Sequence, residues 1–80
     1  MFTVYILQNS KSKRYYIGST NNLDRRIREH NRGQTRSTRV IGIWRLIYQE
    51  TFITNLEAKK RERVIKSYKG GNAFKKLVRD

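Results

Sequence analysis

An arginine and a histidine four residues apart, Arg26 and His30, have clear chemical potential in this chain, as does Glu62, a lone glutamate set among lysines and arginines. A planar guanidinium matches phosphate oxygens, an imidazole carries protons near neutral pH, and a carboxylate among cations can hold a hard divalent ion. Two phenols, Tyr5 and Tyr16, stand in apolar stretches near the start of the chain. Groups of these kinds, brought together, serve phosphodiester hydrolysis. That reaction needs an activated water, stabilisation of charge on the phosphate, and help for the leaving oxygen. Taken singly, each residue has an ordinary reading, and the ordinary reading is then the stronger. The tyrosines fit half-buried strand aromatics, Arg26 a solvated surface arginine, and His30 a helix-terminal residue favoured by the dipole. Glu62 fits a partner for Lys59 at i−3 or Lys66 at i+4. Gly18 is harder to set aside, since an isolated glycine in a strand marks a bulge or a close backbone approach.

The elements that must position these residues follow from pattern and punctuation. Phe2 to Leu7 and Arg14 to Ser19 are rich in β-branched and aromatic residues and read as strands, joined through the polar stretch Gln8 to Lys13. A turn centred on Ser10 and Lys11 would set Tyr5 opposite Tyr16 on one face of the hairpin. Asn21 or Asn22 caps a helix to about Asn31, with Asp24 in its first turn and Gly33 as its stop. Gln34 to Gly42 reads as a basic loop, and Ile43 to Phe52 as a third strand. Thr54 and Glu57 form a capping box for a helix to about Tyr68, ended by Gly70-Gly71. Asn72 caps a short last helix, Ala73 to Val78, whose Phe74, Leu77 and Val78 dock on the body. The order ββαβαα implies an α/β (α+β) fold, with a three-stranded, mainly antiparallel sheet flanked by helices.

Helical geometry, at about 100° per residue, sorts the charges. Leu23 and Ile27 mark the buried stripe of the first helix. Arg26 and His30 fall beside it and reach toward the sheet, whereas Arg25, Arg28 and Glu29 fall on the far side. On the second helix, Ala58, Val64, Ile65 and Tyr68 define an apolar face, with Lys59, Lys60, Arg63 and Lys66 opposite. Glu62 falls on the border, and Glu57 is committed to its cap.

Composition narrows the class. The 80 residues suit one domain, 1–80, with a small core. There is no cysteine and only one histidine, which argues against disulfides and structural zinc. No apolar run is long enough for a membrane span, and the N-terminus lacks the basic region and cleavage site of a signal peptide, so the expected location is cytoplasmic. The 19 Lys plus Arg against 6 Asp plus Glu give a net charge of +13. Such an imbalance favours a polyanionic partner, nucleic acid before a membrane surface. Charge alone does not separate binding from cutting.

Four ordered blocks resemble the GIY-YIG nuclease superfamily: Thr3-Val4-Tyr5, Tyr16-Ile17-Gly18, the run Asn22 to Asn31, and the run Glu57 to Lys66. The first block has Thr3 where the family has its glycine. The resemblance spans about Phe2 to Leu77 and is nearest to the small single-domain members of the excision-repair and intron-endonuclease branch. It implies Tyr5, Tyr16, Arg26 and His30 as catalytic residues, Glu62 as the ligand of one Mg²⁺ or Mn²⁺ ion, and Gly18 as structural. With six acidic residues, a carboxylate-rich two-metal cluster is hard to build, which favours one ion. Arg26 would stabilise phosphate charge, one of the tyrosines would orient or deprotonate the water, and His30 would carry a proton or orient its neighbours. Arg25, Arg28, Arg36, Arg39, Lys59 and Lys66 would hold nucleic acid, with DNA the expected substrate, and Arg32, Lys60 and Arg63 widen that pool. No element suits reading bases in a groove, so DNA structure or a protein partner would supply selection, in repair or recombination. Two alternatives stand beside the nuclease: a basic binding module without useful turnover, and an RNA-binding or ribosome-associated protein that matches by accident.

Overall fold

The computed structural model describes residues 1–32 and 43–78. Strands β1 (Phe2–Asn9) and β2 (Tyr15–Thr20) form a hairpin, followed by α1 (Leu23–Arg32), β3 (Trp44–Phe52), α2 (Asn55–Ser67) and α3 (Asn72–Val78). The sheet runs β2-β1-β3, with both pairings antiparallel. This is the expected ββαβαα arrangement. The basic loop Gln34 to Gly42, with Arg36 and Arg39, and the proposed stop Gly33 lie outside the described residues.

β1 is central and covered on both faces, which is why Val4 to Leu7 is a continuous apolar run instead of an alternating one. Val4 and Ile6 pack on Ala58 and Ile65 of α2 and Phe74 of α3. Tyr5 and Leu7 point the other way, into a second cluster with Leu23 and Ile27 of α1, Trp44, Leu46 and Tyr16. Helices therefore lie on both faces of the sheet, α1 on one and α2 with α3 on the other.

The hairpin register differs from the expected one. Asn9 is fully buried, and its Oδ1 accepts from the backbone N–H groups of Lys11 and Ser12, each at 2.9 Å. Lys13 takes a left-handed φ of 63°. The side chain of Asn9 thus moves the reversal one residue later, so that Tyr5 lies opposite Gly18 and Tyr16 opposite Leu7. The pairing of Tyr5 with Tyr16 is corrected, but the shift is two residues in register. Because side chains alternate with period two, both tyrosines keep the same face.

β3 contains a bulge. Ile6 pairs with Tyr48 and Leu7 with Leu46, which leaves Ile47 as the extra residue. Tyr48, Glu50 and Phe52 consequently face α2, whereas Leu46 and Trp44 turn to the α1 side. The start of β3 is tied to α1, where Asn31 Oδ1 accepts from Trp44 N–H at 2.8 Å and Asn31 Nδ2 donates to Trp44 O at 3.3 Å.

α2 begins as expected, with Thr54 Oγ1 accepting from Glu57 N–H at 3.2 Å. Its buried face is not the expected one. Ala58 and Ile65 are buried and Tyr68 is half-buried, but Val64 is 43% exposed. The helix is rotated so that Arg61 points inward to Glu50 on β3, with guanidinium to carboxylate distances of 3.0 to 3.2 Å. Tyr48 hydroxyl shares that carboxylate. Left-handed Lys69 and Gly70 end α2, and α3 closes over the sheet with Phe74 edge-on to Tyr15 at 4.8 Å.

Candidate active site

β2 is an edge strand, and its residues 17 to 19 form the lip around which the site is built. Tyr16 and Gly18 lie on the face shared with Tyr5 and α1, while Ile17 and Ser19 lie on the face shared with α2. Tyr5, Tyr16, Ile17, Gly18, Ser19, Arg26, Lys59, Glu62 and Lys66 line one hollow of about 180 Å³. Glu62 comes from the opposite side of the sheet from Tyr5 and Arg26. It reaches the same hollow around the free edge of β2, which no further strand covers among the described residues.

Gly18 makes this possible. A Cβ placed there would lie 2.7 Å from the Tyr5 hydroxyl and 2.9 Å from Tyr5 Cζ. The Tyr5 ring therefore crosses directly over the Gly18 backbone to bring its hydroxyl to the edge. Tyr5 is 1% exposed, and its ring runs nearly parallel to Tyr16, at 18° and 6.4 Å between centroids. Burial pushes the Tyr5 phenol above its ordinary value, with Tyr16, Glu62 and Glu29 adding to the rise and Arg26 opposing it. Burial thus outweighs the opposing Arg26 and keeps this phenol above its ordinary value. The half-buried Tyr16 is the more accessible of the two.

Glu62 is engaged on both carboxylate oxygens. Ser19 Oγ donates to Oε1 at 2.8 Å, Lys66 Nζ lies 2.7 Å from Oε2, and Lys59 Nζ lies 3.8 Å from Oε1. Burial alone would raise this carboxyl, but Lys66, Ser19 and Lys59 outweigh it and hold it below the usual carboxylate range. The ordinary reading of Glu62 is therefore correct in both its parts, and the residue is nevertheless at the hollow. Arg26 stands across from it, half-exposed, with Nη1 3.5 Å from Glu29 Oε1.

His30 is placed differently. It is 2% exposed and does not line the hollow. Its ring sits edge-on beneath Tyr16 at 4.3 Å between centroids, with Tyr5 at 6.3 Å and Trp44 at 6.2 Å. Neither ring nitrogen has a hydrogen-bond partner among the described residues. Burial pushes its pKa down, Arg26 adds to this, and Glu29 opposes it. His30 thus packs against Tyr16 from within the protein. Arg25 and Arg28 are exposed on α1 and line no part of the hollow, Arg25 being 3.7 Å from Glu29.

Sequence reasoning missed Ser19. Its signal was its place directly after Gly18, where strand alternation turns its hydroxyl to the α2 side. Also missed was the Tyr48, Glu50 and Arg61 network, whose members stand on two elements that nothing in the sequence pairs.

Glu62 is the one carboxylate lining the hollow, so a hard cation held there would displace Lys66 from it and draw its other ligands from water and phosphate. No group of three His, Cys, Asp or Glu residues exists among the described residues, which rules against an all-protein cage there. Mg²⁺ and Mn²⁺ keep several waters and accept phosphate oxygens as ligands, so of the hard cations they ask least of the protein.

Residues 1–75 match the GIY-YIG catalytic domain, and the chain belongs to the GIY-YIG nuclease family. Its relatives there include UPF0213 proteins. One from Clostridium perfringens is 45% identical over 64 residues, covering 79% of this chain and 68% of the relative. One from Staphylococcus aureus is 41% identical over 66 residues, covering 81% and 79%. The solution NMR structure of the UPF0213 protein BH0048 from Bacillus halodurans is 34% identical, with a TM-score of 0.50, and covers 91% of this chain and 90% of its own.

Proposed function

We propose that this protein is a divalent-cation-dependent endonuclease that hydrolyses phosphodiester bonds in DNA, with weak sequence preference and one ion at Glu62. The observation that carries the reading is the convergence of two phenols, a guanidinium and a carboxylate on a single hollow at the β2 edge. Three cations line that hollow against one carboxylate, which leaves a net attraction for a phosphate. Arg26 faces the charge that develops on the phosphate oxygens, and its fork of donors suits them. Tyr16, the more accessible phenol, would touch the attacking water, a role its greater exposure supports. Tyr5 keeps its proton and serves as a donor that orients water or phosphate. His30 fixes the Tyr16 ring from below. A Mg²⁺ or Mn²⁺ ion held by Glu62 would supply Lewis-acid stabilisation and lower the pKa of a water. The substrate is in the cytoplasm, and DNA structure or a protein partner supplies selection.

The test is nicking of branched and linear DNA with Mg²⁺ or Mn²⁺, wild type against Glu62→Ala. The variant should lose at least about a hundredfold in rate, the scale of removing one key electrostatic group. Its DNA binding should hold or tighten, because a negative charge has gone. Cleavage that survives Glu62→Ala or chelation would overturn the reading. If neither protein cuts any substrate while both bind in a salt-dependent way, the chain is a binding module on a nuclease fold.

A further inference from the structure

A second hollow, of about 210 Å³, adjoins the first on the outer flank of α2. It is lined by Lys59, Glu62, Arg63 and Lys66, three of which also line the candidate active site. Arg63 is the difference. It is exposed, and no ion pair described in the structure involves it. Glu62 offsets only one of the three cations, through its pairing with Lys66 at 2.7 Å and Lys59 at 3.8 Å. Three cations against one carboxylate leave two net positive charges. The two hollows share Lys59, Glu62 and Lys66, so they adjoin, with Arg26 lining the first and Arg63 the second.

We infer that the hollow bounded by Lys59, Arg63 and Lys66 is a second phosphate subsite, which holds the backbone phosphate next to the one addressed by Arg26. This rests on the nuclease reading for the identity of the first phosphate. Lys59 and Lys66 stand at the junction, and both pair with Glu62 along the helix, Lys59 at 3.8 Å and Lys66 at 2.7 Å. A phosphate entering the subsite can draw them off, which would free the carboxylate toward the first hollow. The substrate class that follows is an internal stretch of strand with at least two successive phosphates.

The experiment measures binding of a short DNA duplex in EDTA across a salt series, so that cleavage does not enter. Each phosphate contact contributes a slope of about −0.9 to log K against log salt on duplex DNA. Arg63→Ala should reduce the slope by about one contact. Arg26→Ala should do the same, and the double variant should lose about two, as separate subsites require. Lys75→Ala, on α3 and outside both hollows, serves as the control and should leave the slope unchanged. An Arg63→Ala slope equal to wild type, an equal loss in Lys75→Ala, or no duplex binding by the wild type would each overturn the subsite. If the wild type never cuts with Mg²⁺ but Arg63→Ala still loses its contact, the subsite stands and the nuclease reading fails.

Discussion

Gly18 and His30 show how single residues set the site by fixing the two tyrosine rings. Gly18 is required because Tyr5 crosses it, with its hydroxyl 2.7 Å and Cζ 2.9 Å from where a Cβ would be. Gly18→Ala must push the Tyr5 ring off the β2 edge, at the cost of overpacking, about 1–3 kcal/mol by denaturant unfolding. Adding Tyr5→Phe removes the nearer clash and should recover part of that stability but none of the activity. His30 yields a pH prediction. It is the only histidine, buried and held neutral below its ordinary value, so the unfolded chain takes up the proton first. Stability is complete above the unfolded value of about 6.5 and is lost as pH falls through the folded one. Denaturation of wild type at pH 7.5 and pH 5 should show that loss, with a slope no steeper than about 1.4 kcal/mol per pH unit. His30→Phe should flatten it in this window, since Glu50 and Glu62 are held below the usual carboxylate range and titrate further down. Equal pH dependence in the two proteins would exclude His30 as its source. The chemical types of Tyr5, Arg26 and Glu62 were legible in the sequence. The burial of His30 was not, because helical spacing gives a direction but not the depth of the aromatic cluster beneath it.

At the scale of elements, the faces were legible and the offsets were not. The apolar periodicity of α1 put Leu23 and Ile27 inward, and the cap at Thr54 started α2 at the right residue. The hairpin register moved by two because the Asn9 side chain, not a dipeptide signature, sets the turn. The tyrosines still share a face only because that shift is even. The bulge at Ile47 and the inward turn of Arg61 had no local signal, since both answer to partners far away in the chain. Arg61 makes three contacts of 3.0 to 3.2 Å to Glu50, with side-chain exposures of 29% and 26%. The pair sits between a surface bridge and a buried one. Arg61→Ala should therefore cost on the order of 1–2 kcal/mol, more than an exposed pair and less than a fully buried one. Because it fixes the rotation of α2, it also fixes where Glu62 meets the β2 edge. Arg61→Ala should slow cleavage even under conditions where the protein remains fully folded by circular dichroism. A variant that is destabilised yet cuts at the wild-type rate would show that β2 and Ser19 hold Glu62 without this bridge.

The whole molecule carries a net charge of +13 in a body of 32 × 28 × 21 Å. The Debye length is about 30 Å at 0.01 M salt and about 8 Å at 0.15 M. At low salt every charge therefore feels every other across the full width of the domain, and at physiological salt only neighbours interact. Folding brings the cations together, so the folded state suffers more from self-repulsion than the unfolded chain does. Added salt relieves that repulsion, and Tm should rise between 10 and 150 mM NaCl. DNA binding draws on the same charge with the opposite sign, because salt competes for the counterion release that drives it, and affinity should fall steeply over that range. A ligand that binds only the folded state stabilises it in proportion to the logarithm of its concentration over Kd. In the presence of duplex DNA, then, Tm should be raised most at the lowest salt, where the free protein is weakest. Thermal melts with and without duplex across a salt series test this, and the two curves should converge as salt increases. Parallel curves would mean that binding does not use the field of the whole molecule, and that specific contacts, not net charge, hold the nucleic acid.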